Sequence, residues 1–196
     1  MPNRDPRAKG TAHDRLLQAA SSLFYDNGIG GTGIDAIVER AGVAKKSLYN
    51  NFSSKSDLVH QYLEARHAEW LDLYERRMAP AGTPQQRILA VIDAYRDHAE
   101  HAYERGFRGC GLLNAAAELD AGDAGRKAVR KHKEQVEDLL AGHLNELLPH
   151  SPDRARRLAA QISFLLEGAM ARAGLEGDSM RLLDARDMVD DMLQAL

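Results

Sequence analysis

The sequence predicts an all-α fold, and three observations carry that expectation. Apolar residues recur three and four positions apart along segment after segment, and no stretch alternates as a half-buried strand does. Aromatics make up only 6% of the chain and prolines number six, so the many turn-bounded, aromatic-rich strands of a sandwich or barrel are missing. With 44% hydrophobic side chains among 196 residues, there is enough apolar material for a real core, which excludes a disordered tail. A single cysteine, Cys110, rules out an internal disulfide. The opening MPNRDPRAKGTAHDR is polar with no apolar run behind it, and nowhere do about 18 apolar residues follow one another. The expectation is a cytoplasmic protein without a membrane span.

The elements follow in order. Leu16, Ala20, Leu23 and Phe24 share one face of a helix over residues 13–27, which Asn27-Gly28 stops. Thr32 is placed to cap a short helix carrying Ile34, Ile37, Val38 and Ala41, ended by Gly42. Ala44 opens another short helix, with Val43 and Leu48 turned inward. Ser54 precedes a long helix to about Met78, striped by Leu58, Val59, Tyr62, Leu63, Arg66, Trp70 and Leu73. Further helices are expected over 84–104 (Ile88, Val91, Ile92, Tyr95, Ala99, Ala102), 107–119, 125–148, 153–176 and 179–195, separated by Gly and Pro breaks. That makes about nine helices.

Ile34 to Asn51 reads as a helix-turn-helix. Ile37, Ala41, Val43 and Leu48 occupy the packing positions, and Gly42 sits where the turn wants a positive φ. The second helix of such a pair fits the major groove of DNA and has to offer donors to bases and phosphates. Lys45, Lys46, Ser47, Tyr49 and Asn50 are such a set. Taken alone, the motif also fits a helical corner whose polar face meets water. Charge leans the same way as the motif: residues 1–58 carry eight basic and six acidic side chains, a balance of +2, leaving −5 for the rest of a chain whose net charge is −3.

The stretch TGIDAIVERAGVAKKSLYNNFSSKSDL resembles the DNA-binding signature of the TetR/AcrR family of bacterial repressors. Phe24, Gly28, Thr32, Ile37, Ala41, Gly42, Val43, Leu48, Tyr49, Phe52, Ser54 and Lys55 stand where that pattern puts them, and GFRGCGLLNAAAELDAG looks like a segment of some members. Two positions depart: Val38 stands in place of a usual small Ala, and Asn51 in place of a frequent Tyr or His. The resemblance implies a three-helix DNA-binding domain over 1–56 and a larger helical ligand-binding and dimerisation domain over 57–196. It implies a repressor released from a palindromic operator by a small-molecule inducer. By the same resemblance, Tyr49, Lys55 and Thr32 with its helix N-terminus hold phosphates, while Lys45, Lys46, Ser47 and Asn50 lie nearest the base edges.

GIGGTG, from Gly28 to Gly33, also meets the G-x-G-x-x-G spacing of a pyrophosphate-binding loop. That fingerprint needs a strand before it, and ASSLFYDN continues a helix, so a nucleotide-binding oxidoreductase is not expected. No catalytic motif is visible, and the chain is not expected to be an enzyme or to carry a cofactor or metal. His98 and His101, three apart, have no third ligand fixed by spacing.

For the second half, the expectation is a homodimer. Leu158, Ile162, Leu165 and Ala169 make one stripe, and Leu182, Ala185, Val189, Met192 and Leu196 another, so two copies of each helix would form a four-helix bundle; the alternative is that both stripes face the monomer core. Polar residues on apolar stripes mark the candidate effector cavity: Arg66, His98, Asn114 and Glu167, with Trp70, Tyr95, Phe107, Cys110 and Phe164 beside them. Each of these polar groups also fits a structural ion pair or a satisfied core position. Arg4, Arg7 and Lys9 form a basic arm suited to phosphate contact. A helical interaction or signalling protein without DNA readout is the competing class.

Overall fold

The computed structural model describes residues 10–101 and 103–196, so the basic arm and Ala102 lie outside the described residues. Those described residues form nine helices and no strand: α1 (Ala12–Asn27), α2 (Ile34–Ala41), α3 (Lys45–Asn51), α4 (Lys55–Met78), α5 (Pro84–Ala99), α6 (Gly111–Ala117), α7 (Ala124–Leu147), α8 (Pro152–Glu176) and α9 (Met180–Gln194). The caps explain the starts. Thr11 with Asp14 and Thr83 with Gln86 form reciprocal capping boxes ahead of α1 and α5, and the Ser54 side chain accepts from the Asp57 N–H at the head of α4.

Helices α1 to α3 pack around Leu16, Ala20, Phe24, Ile37 and Leu48, all buried. Gly42 ends α2 in the left-handed region (φ 62, ψ 39), which lets the chain turn into α3 within three residues. Above them α4 runs 24 residues, its first turns against α1 and its later turns against α5 and α7. Helices α7, α8 and α9 close the body, with α9 also lying on α5.

Three local expectations are corrected. The cap of α2 is Gly33, not Thr32. Thr32 is 2% exposed, and its buried hydroxyl is satisfied at the α1–α2 junction by the carbonyls of Gly28 (2.7 Å) and Leu23 (3.1 Å). α5 ends at Ala99 rather than at 104, and α6 begins at Gly111 rather than at 107. Gly109 (φ 84) breaks the intervening stretch and lies so close to α8 that a Cβ on Gly174 would stand 2.5 Å from its nitrogen.

Candidate DNA-binding face and regulatory interior

α3 is a short helix held from behind. Leu48 is fully buried, and Phe52 just past its end is 1% exposed with its ring stacked on His13 at 4.8 Å. Anchoring one face leaves the other for contact: Lys45, Lys46, Tyr49 and Asn50 are exposed and Ser47 half-buried. Lys46, Tyr49 and Asn50 have no side-chain partner among the described residues, whereas Lys45 Nζ is 2.8 Å from Asp35 Oδ1 on α2. Asn51 Nδ2 donates to the Ser47 carbonyl at 2.7 Å and so closes its own helix. Lys55 is half-buried, its Nζ donating to the Ile29 carbonyl at 2.6 Å. Thr32 faces inward, and its hydroxyl is taken up by the carbonyls named above.

The candidate cavity residues fall into two adjoining clusters. In the first, Arg66 donates through one Nη to His98 Nε2 (2.7 Å) and Tyr103 Oη (3.1 Å) and pairs through the other with Glu69 (2.6 Å). Burial, then the Arg66 charge, pulls the His98 pKa down to about 3. In the second, Lys133 Nζ lies 2.7 Å from Glu167, 3.4 Å from Tyr95 Oη and 3.6 Å from Cys110 Sγ. Burial works against the Lys133 charge, and the acidic groups facing it, Cys110, Tyr95 and Glu167, more than offset this. Trp70 packs between Tyr74, Tyr95 and His132, and its buried Nε1 has no hydrogen-bond partner among the described residues. Phe107 is buried beside Tyr103. Lys133 also forms the inner end of a groove of about 560 Å³ between α6 and α7, walled by Leu113, Ala116 and Val129 and edged by Arg126, Lys127 and Arg130.

Two candidates lie elsewhere. Asn114 is exposed and donates to the Arg108 carbonyl, and Phe164 is 72% exposed on the outside of α8. Lys133, His132 and Tyr103 were missed. Lys133 sits in a basic run that reads as a solvated face, yet it is four residues past Val129 and three before Val136, the spacing of a buried stripe. The two stripes expected at a dimer interface lie mostly inside the chain, as in the alternative that both face the monomer core. Leu158, Ile162, Ala169, Leu182 and Val189 are buried within the chain, Leu165 and Met192 are half-buried, and only Leu196 is exposed. Among the described residues no group of three or more His, Cys, Asp or Glu side chains is placed to hold a metal ion.

A buried three-helix anchor that presents a short polar helix, set on a larger helical body, defines a helix-turn-helix DNA-binding regulator. The chain belongs to the TetR family: residues 16–62 match the family model of bacterial regulatory proteins of the tetR family, and residues 84–189 match the tetracyclin repressor-like C-terminal domain. Its members are transcription regulators, not enzymes. The chain is 40% identical over 100 residues to the HTH-type transcriptional activator FasR of Mycolicibacterium smegmatis, covering 50% of this chain and 44% of FasR. It is 29% identical over 99 residues to the transcriptional repressor KstR2 of the same organism, covering 50% and 48%. The chain thus matches about half the length of these curated relatives. A TetR-family regulator from Streptomyces coelicolor, SCO4454, superposes with a TM-score of 0.85 at 27% identity, over 94% of this chain and 95% of that one.

Proposed function

We propose that this chain is a homodimeric repressor that two-fold symmetric operator DNA binds through α3 and that a small-molecule effector releases. The observation that carries it is the exposed trio Lys46, Tyr49 and Asn50, without side-chain partners among the described residues, on a helix anchored by Leu48 and Phe52. Lys46 and Asn50 read base edges, with Ser47 beside them. Tyr49 and Lys55 hold phosphates; Lys55 keeps two further N–H donors beyond the one given to Ile29. The N–H groups at the head of α2 serve the phosphate role in place of the buried Thr32 hydroxyl.

The effector site is the groove ending at Lys133, whose Nζ meets Tyr95 and Cys110 behind it, with Trp70 packed on Tyr95. Its size suits a small ligand, and its three rim cations favour one with an anionic end. Dimerisation uses the outer face of α8 and α9, where Phe164 (72% exposed), Leu175 (88%) and Met188 (54%) are uncovered. No described helix is long and apolar enough to cross a membrane, and we place the protein in the cytoplasm with its DNA.

Selection from a random-sequence duplex pool by the full chain tests the reading. A two-fold symmetric site is expected, and Lys46→Ala or Asn50→Ala should relax preference at fixed positions of each half-site, by about 1 to 3 kcal/mol where the contact is bidentate. Enrichment of nothing, or an unchanged motif in both variants, overturns it.

A further inference from the structure

The glycine loop between α1 and α2 does hold an anion, and that anion belongs to the chain itself. Glu118, at the end of α6, accepts from the Ile29 N–H at 3.0 Å and from the Gly30 N–H at 2.7 Å, one on each carboxylate oxygen. It has no Lys, Arg or His partner among the described residues within ion-pair distance, so these two amides are what its carboxylate rests on. The fit is close. A Cβ on Gly28 would stand 2.6 Å from one oxygen, and a Cβ on Gly30 3.2 Å from the other. An acid at a helix C-terminus opposes the helix dipole, so local helix chemistry does not account for Glu118.

The same loop is gripped from other sides. Lys55 Nζ takes the Ile29 carbonyl at 2.6 Å. Arg105 and Arg108, in the segment before α6, donate to Asn27 Oδ1 (2.7 Å) and the Tyr25 carbonyl (3.2 Å) at the end of α1. Arg40 of α2 pairs with Glu104. The helix-turn-helix therefore leaves its loop at an angle that the regulatory half sets.

We propose that Glu118 is a positioning residue for DNA recognition: its carboxylate, clasped by the Ile29 and Gly30 amides, fixes the α1–α2 loop and so the presentation of α2 and α3. α6 is seven residues long, roughly 10 Å. Its first residue follows Cys110, which touches Lys133, and its last precedes Glu118. A ligand that moves α6 at the groove therefore moves the clasp. That last step rests on the effector site proposed above, whereas the positioning role rests on DNA binding alone.

The test uses the full chain and a duplex it enriches from a random pool. In Glu118→Ala, amide exchange at Ile29 and Gly30 should quicken by roughly tenfold or more, since hydrogen bonds to a charged group are lost. DNA affinity should fall several-fold with an unchanged salt slope, because no phosphate contact is removed. Glu118→Gln keeps one carbonyl acceptor and should fall between. Gly30→Ala should weaken DNA binding in the native background and have no effect beside Glu118→Ala, since its new methyl meets nothing but Glu118. It carries the test alone with Glu118→Gln if Glu118→Ala does not fold. Unchanged exchange and affinity in the Glu118 variants, or additive effects of the two sites, overturn the proposal. A chain that selects no duplex sinks the DNA reading instead, and the exchange measurement, which needs no DNA, tells the two failures apart.

Discussion

Arg66 donates to His98, an acceptor that exists only while the imidazole is neutral, so this interior is built for an uncharged ring. His98 and His132 are each held at about 3, chiefly by burial, against about 6.5 in an unfolded chain. Their folded pKa values are depressed, so the stabilisation is complete above pH 6.5 and is lost as pH falls towards 3, where the unfolded chain takes up protons that the folded one refuses. Each such histidine adds a slope of up to about 1.4 kcal/mol per pH unit. Urea unfolding of the native chain should therefore weaken from pH 6.5 to 5, above most carboxylate titration, and His98→Gln should flatten that slope by about one proton. An identical slope in the variant would show that His98 is free to protonate in the folded state. Arg66, Trp70, Tyr95 and His98 were legible as interior because each interrupts or anchors an apolar stripe. Lys133 was not, since its charge and basic neighbours mimic a solvated face; only its spacing from Val129 and Val136 betrays it.

At the scale of elements, helical periodicity located all nine helices, with the largest errors around Gly106 and Gly109, whose positive φ values stop a helix that composition alone would continue. Periodicity also misled. A stripe at three-four spacing records that a face is buried, not by which body, and on α8 and α9 the stripes of Leu158, Ile162, Leu182 and Val189 are covered by α5, α7 and each other. What those helices leave uncovered is the informative set: Phe164, Gly168, Ala171 and Leu175 at four-three-four spacing on α8, with Met188 on α9. Large apolar side chains 72% and 88% exposed on one helix suit the second copy proposed above. The native chain should sediment as a dimer and Phe164→Glu as a monomer with the same helical circular dichroism. If the variant keeps the dimer mass, the copies meet elsewhere.

For the whole molecule, the net charge of −3 leaves DNA binding to the arrangement of a few cations, and the structure shows that one of them is already engaged. The excess of basic groups in residues 1–58 was readable from the sequence. The pairing of Lys45 with Asp35 was not, because the two lie ten residues apart on different helices that only the Gly42 turn brings together. Both side chains are largely exposed, so the pair is worth little to stability. Its effect belongs to binding, where Lys45, which the resemblance groups with the base-edge residues, is taken as a phosphate contact instead. Each Lys45 taken by Asp35 is one fewer counterion released, and each phosphate neutralised contributes about 0.9 to the slope of log affinity against log salt. Asp35→Asn frees Lys45 in both protomers of the proposed dimer and removes a carboxylate from the proposed DNA-facing side. Affinity at low salt should rise, and the slope should steepen by up to about 1.8. The selected base preferences should stay the same, since Lys46 and Asn50 are untouched. Equal slopes for the native chain and Asp35→Asn would mean that Lys45 already leaves Asp35 for a phosphate when DNA binds, or never reaches one, and adding Lys45→Ala separates the two: it lowers the slope in the first case and leaves it unchanged in the second.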